Sequence, residues 1–229
     1  MFHDFYHSRF PAKEAYVTLK DYVKWLNREG RLTPAVADAV NLANEKIHRG
    51  TVVFYVAGAL TGASEEEKAR YVKTSEIIST QRNGAKRKRC FFGYAPHIYG
   101  TDPKKHPHVT PQEVRDIDYL WAVVMAEAHV NFLDPIAHGN AIEEGWAEAS
   151  HIPAVMCIPE GMRVSRLTRG MINIDTFISY KDIQEAYEQL SCLVDQIHDW
   201  LDMHPGLYSV GFFAERSYLR KMAELNSDS

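Results

Sequence analysis

Cysteine is scarce in this chain: Cys90, Cys157 and Cys192 are the only three in 229 residues. They supply neither an even disulfide framework nor the ligand spacing of a structural zinc site. Long apolar runs are missing too, since no stretch approaches the roughly 20 residues that span a bilayer. Phe2 to Phe10 does not read as a signal peptide, because His3, Asp4, His7 and Arg9 interrupt it. A dominant charge of one sign is also absent. A formal net charge of -4 gives no general attraction to nucleic-acid polymers or anionic membranes. What remains is an ordinary globular composition, 45% hydrophobic and 24% charged, able to bury a core. The expectation is a reduced, soluble, cytoplasmic protein.

Residues 12–29 carry Tyr16, Leu19, Val23 and Leu26 at helical spacing, with Gly30 placed to end the helix. Thr33-Pro34 then reads as the N-cap and first-turn proline of a second helix, with Val36, Val40, Ala43 and Ile47, ending near Gly50. Residues 1–50 are therefore expected to form a helical extension. From residue 51 strands alternate with helices. Thr51 to Ala57 is a β-branched strand, followed by the turn Gly58 to Ala63 and a helix opened by Ser64-Glu-Glu-Glu67. The basic turn Asn83 to Arg89 precedes a strand over Cys90 to Tyr94. Thr110-Pro-Gln-Glu113 signals a helix N-terminus, and Val114, Ile117, Leu120, Trp121 and Val124 mark its inward face. Further strands are expected at 129–134, at Ile152 to Ile158 and, as an edge, at Phe177 to Tyr180. A long amphipathic helix over Lys181–Leu201 ends the domain, and residues 204–229 read as a tail with a short helical piece. This alternation predicts an α/β fold, a doubly wound, mostly parallel, Rossmann-like or flavodoxin-like three-layer sandwich over 51–203.

The chemistry gathers in Asp134-Pro-Ile-Ala-His-Gly-Asn-Ala-Ile-Glu-Glu-Gly-Trp-Ala147. A strand leads in, Asp-Pro and His-Gly break the chain, and helical spacing is expected from Ile142, with Trp146, Ala149 and Ile152 on one face. Open α/β sheets place ligands at such turns. Glu143 and Glu144 are expected in the first helical turn, one facing the crevice and one the flank. The competing reading is that both only complement the helix dipole. His97, His106 and His108 suggest a metal, but His106 and His108 point apart on an extended chain with no Cys or acidic pair at matching spacing. No metal and no cofactor are expected.

These motifs, in this order, resemble the nucleoside 2-deoxyribosyltransferase family, and within it the 2'-deoxynucleoside 5'-monophosphate N-hydrolase branch. The resemblance covers about residues 51–197. Tyr55-Val-Ala-Gly58 is similar to the family's first-strand signature, and Gly139-Asn-Ala-Ile-Glu143 with Gly145-Trp-Ala147 to its catalytic motif. The resemblance implies Glu143 as nucleophile, Asp116 as the second carboxylate, and Tyr55 as a hydrogen-bond partner of the nucleophile. It implies substrate contacts from Gly58, His97, Gly139 and Asn140. Ser165 and Arg169 would hold a 5'-phosphate across the interface of a homodimer. The chain also departs from the pattern. Ala59 replaces a serine, leaving Thr61 as the nearby hydroxyl, and the second expected serine falls at Ala137 or His138. The stretch between Asp116 and Glu143 is longer than usual, which leaves Asp118 as an alternative second carboxylate. Glu127 is the remaining candidate for an acidic residue at the strand entrance, and Glu144 stands where an apolar residue is usual.

The implied partner is a small nucleoside or nucleotide, and the implied reaction is cleavage of its N-glycosidic bond. A carboxylate beneath an anomeric carbon can bond to it as the base departs, while a second carboxyl handles protons. Three alternatives stay open: transfer between bases, a different nucleotide hydrolase of related fold, and a non-catalytic nucleotide-binding module.

Overall fold

The computed structural model describes residues 18–60, 63–80, 89–135 and 137–227, with backbone alone for 221–227. Thr61, the basic turn as far as Lys88 and the aromatic amino terminus lie outside the described residues. The elements are α1 (Leu19–Arg28), α2 (Pro34–His48), β1 (Val52–Ala57), α3 (Glu65–Ser79), β2 (Phe91–Tyr94) and α4 (Pro96–Tyr99). They continue with α5 (Pro111–Tyr119), a π-helical stretch (Leu120–Met125), β3 (Ala128–Phe132), α6 (His138–Ala149) and β4 (Ala154–Pro159). The chain closes with α7 (Arg166–Arg169), β5 (Ile174–Tyr180), α8 (Ile183–Met203) and α9 (Ser209–Ser227). No described helix is long and apolar enough to cross a membrane.

β1 is buried along its whole length, as a strand covered by helices on both faces must be. Its side chains alternate between two cores. Val52, Phe54 and Val56 pack with α3, α8 and α9. Val53, Tyr55 and Ala57 pack with α1, α2, α5 and the π-helical stretch. The sheet order is β2-β1-β3-β4-β5, with every pair parallel. The fold is thus a three-layer, doubly wound α/β sandwich. From β1 the chain first grows outward to β2, then returns past β1 to build β3, β4 and β5. That reversal opens a crevice at the carboxyl ends of β1 and β3, the topological switch point.

Local chemistry explains the elements on either side of the crevice. Ser64 and Glu67 form a reciprocal capping box at the start of α3, and Thr110 and Glu113 do the same for α5 behind Pro111. The helix expected to run unbroken from Thr110 instead widens to π geometry at Leu120. There the His129 ring on β3 takes the Ala122 carbonyl at 2.7 Å, so its Nε2 carries the proton. Trp121 lies flat on Tyr94, with ring centroids 4.3 Å apart.

Two expectations about the key motif are corrected. α6 begins at His138 rather than Ile142, so Glu143 and Glu144 stand beyond the first turn and neither serves the helix dipole there. Its fully buried residues are Asn140, Glu144 and Ala147; of the expected face, Trp146 packs against the core and Ile152, beyond the helix end, is buried, while Ala149 is exposed. Residues beyond 203 hold more than a short helical piece. α9 runs for 19 residues and buries Phe213 against the sheet-side core.

Candidate active site

Tyr55 sits near the end of β1, and its register partners across the sheet are Tyr94 on β2 and His129 on β3. All three side chains rise from one face. The Tyr55 ring lies 5.9 Å from Tyr94 and 5.0 Å from His129. Fixed between them, its hydroxyl donates to Glu143 Oε1 at 2.8 Å. Glu143 descends from α6, whose N-terminal turn is tied to the end of β3 by Asn140 Nδ2 donating to the Phe132 carbonyl. Asp118, in the last turn of α5, completes the group: its charge is the largest electrostatic influence on Glu143, Tyr55 and Tyr94 alike.

Burial dominates the titration of this cluster. It raises Glu143 well above the usual carboxylate range; Asp118 adds to the rise, and the Tyr55 hydrogen bond opposes it. Burial raises Asp118 as well, to about 7. Tyr55 is driven further above its ordinary value by burial and by both carboxylates, so it remains a protonated donor. Two neighbouring carboxyls in such surroundings do not ionise together. The pair therefore shares one proton, and the donor at Oε1 acts in favour of the anion on Glu143. Glu144, the next residue on α6, is pushed by burial to about 7.

Asp116, expected as the second carboxylate, faces away from this group. Two residues apart on an α-helix means nearly opposite sides. Its carboxylate is held by Arg31, with Nε to Oδ2 at 2.8 Å and Nη2 to Oδ1 at 2.6 Å. Gly58 is required by packing, since a Cβ there would lie 2.2 Å from the Tyr71 ring. Gly139 has open space where a Cβ would point, on the first turn of α6. His97 is buried with its ring 5.6 Å from Tyr71, and burial lowers it to about 4, so it is neutral. Neither of its ring nitrogens finds a hydrogen-bond partner among the described residues.

Arg169, on α7, and Ser165, just before it, are exposed, and Ser165 caps that short helix by accepting from the Thr168 N–H at 3.0 Å. Glu127 lies at the opposite pole of the sheet, before β3, where it accepts from Ser209 N at 2.8 Å.

Sequence reasoning missed Tyr94, Thr101 and Trp121. The Tyr94 hydroxyl, the Thr101 hydroxyl, the Trp121 ring N–H and Asp118 Oδ1 are all buried without a hydrogen-bond partner among the described residues. The alternation Phe92-Gly93-Tyr94 could have placed Tyr94 on the face of Tyr55, had the register been known. Asp118 was visible only as the alternative to Asp116.

The fold and site together define a doubly wound α/β domain with a paired carboxyl group at its switch point. No protein-family model and no curated protein sequence matches the chain. Among solved structures it is similar to the CMP N-glycosidase BcmB of Clostridium botulinum. That match has a TM-score of 0.44 and 15% identity, over 62% of this chain and 98% of that one.

Proposed function

We propose that the protein hydrolyses the N-glycosidic bond of a (2'-deoxy)ribonucleoside 5'-monophosphate, with Glu143 as nucleophile and Asp118 as the proton carrier. The observation that carries this reading is the Tyr55–Glu143 hydrogen bond of 2.8 Å, made beside a second buried carboxyl at the switch point. One ionised and one protonated carboxyl are what a double displacement at an anomeric carbon needs. The nucleotide as substrate is supported by the motif resemblance around Tyr55 and Glu143.

In the first step a Glu143 oxygen bonds to C1' and the C1'–N bond breaks. Its electron pair leaves with the base, which takes the Asp118 proton directly or through water. In the second step water attacks C1', gives a proton to the Asp118 carboxylate and releases Glu143 as the ester bond breaks. Free base and sugar phosphate leave, and both carboxyls return to their starting states. Tyr55 keeps Glu143 ionised and aimed throughout. In this reading Ser165 and Arg169 hold the 5'-phosphate bound to a second copy of the chain. Exposed Leu167, Ile172 and Phe177 around them favour a homodimer through this face.

The test is release of free base from a panel of nucleosides and monophosphates, with and without an acceptor base. Wild type is expected to release base from a monophosphate and Glu143→Ala to release none. Equal turnover by the two proteins, or none by either, contradicts the reading.

A further inference from the structure

The amino-terminal pair α1–α2 lies outside the catalytic resemblance, yet it grips the turn of α5 that bears Asp118. Arg31, in the connection between α1 and α2, forms a two-pronged ion pair with Asp116, whose side chain is 1% exposed. From α1, the Tyr22 hydroxyl donates to the Asp116 carbonyl at 3.0 Å, at the junction where the α-helix gives way to π geometry. Thr33 donates to Glu113 Oε1 at 2.5 Å, one turn earlier. Rings continue the contact: Tyr22 to Tyr119 at 5.5 Å, and Tyr119 to Trp146 on α6 at 5.3 Å. Arg115 bonds Asp116 at 3.0 Å and lies over both Tyr119 and Trp146. The grip therefore meets both helices that carry the site's carboxyls, on α5 from the side opposite Asp118.

We propose that α1 and α2 are a positioning element for the site, and that Arg31 and Tyr22, acting through Asp116, hold the Asp118 carboxyl in register with Glu143. This rests on the reading of Asp118 as proton carrier. The physical reason is leverage. Asp116 and Asp118 share one helical turn, so a guanidinium fork on one side fixes the rotation of that turn and the direction of the carboxyl on the other. A proton carrier misplaced by about 1 Å loses much of its effect. The fork suits this use because its two parallel bonds constrain orientation, which a lysine ammonium does not. The groups facing Asp118 are Tyr55 and Tyr94 from the sheet, Thr101 from the loop after α4, and Glu143 from α6. Arg31, Arg115 and Tyr22 lie across its own turn.

The first test does not depend on turnover. The Asp118 carboxyl is titrated by NMR in protein labelled at aspartate carboxyl carbons, with Asp118→Asn giving the assignment. The proteins are wild type, Arg31→Lys, which keeps a charge near Asp116, and Tyr22→Phe, which removes one hydroxyl. The expected result is an Asp118 midpoint lowered by about one pH unit in Arg31→Lys and by less in Tyr22→Phe, as water reaches the loosened turn. An unchanged midpoint in both variants, whatever happens to the melting temperature, overturns the proposal. In a base-release assay, Arg31→Lys is expected to lower kcat at least about 10-fold with little change in KM, and to cost nothing further in Asp118→Asn. A full additional loss in that background overturns it too. If wild type releases no base, the functional reading fails while the titration still decides the clamp.

Discussion

Tyr55 and Glu143 lie 88 positions apart in sequence and meet at 2.8 Å. A hydrogen bond to a charged group contributes about 1.5–3 kcal/mol, so Tyr55→Phe is expected to lower turnover roughly 10- to 100-fold. The sign of its pH effect follows from the donor. Removing it raises Glu143 further, so the acid limb of kcat/KM should move to higher pH; a profile that only scales down would contradict the assigned role. Glu143→Gln should cost roughly 10³-fold or more without unfolding the protein, as measured by base release and circular dichroism. Glu144 offers a separate check on stability. Its folded value, about 7, lies above the ordinary 4.5. The protonated form is thus favoured by folding: its contribution is complete below about pH 4.5 and is lost as pH rises through about 7. Glu144→Gln should therefore stabilise the protein at pH 8 by about 1–2 kcal/mol, allowing for partial solvent screening. Near pH 4 the gain should vanish, and thermal melts at the two pH values decide it.

At the scale of elements, glycine packing gives the sharpest expectation. A Cβ on Gly93 in β2 would lie 2.7 Å from the Ser75 backbone on α3, where nothing flexible can yield. Gly93→Ala should cost about 1–3 kcal/mol, read by denaturant unfolding. Much at this scale was legible in the sequence, and for local reasons. Ser64 with Glu67 and Thr110 with Glu113 announce their helices because a capping box spans only four residues. The β-branched run in β1 announces a strand buried on both faces. The π-helical stretch was not legible, because it depends on the His129 ring taking a carbonyl seven residues back and on Trp121 stacking against another strand. α6 starts four residues before the point its sequence spacing predicts, since His138, Gly139 and Asn140 are turn formers by type and only the bond from Asn140 to the Phe132 carbonyl holds them in the helix.

For the whole molecule, the doubly wound sheet was readable from alternation alone, and the site's position at the switch point follows from the strand order. Which aspartate joins Glu143 was not readable. The choice between Asp116 and Asp118 turns on Arg31, 85 positions away, and no local pattern records that pairing. The carboxyl-terminal helix is similar: its contacts are with residues far back in the chain, such as Glu127 and Asp175. It buries Phe212 and Phe213, each contributing about 1.5–3 kcal/mol. Ending the chain at Met203 should therefore remove about 3–6 kcal/mol, a large part of typical domain stability, seen as a lost or broadened melting transition. If the face around Leu167 joins two copies, Leu167→Asp should halve the mass measured by light scattering. The most direct test of the central claim is to trap the covalent intermediate with a 2'-fluorinated substrate analogue, which slows its hydrolysis, and to map the modified peptide by mass spectrometry. A sugar adduct on the peptide containing Glu143, at the Glu143 side chain and absent from Glu143→Gln, is the predicted result. Base release with no adduct, or with the adduct on another residue, would contradict the account.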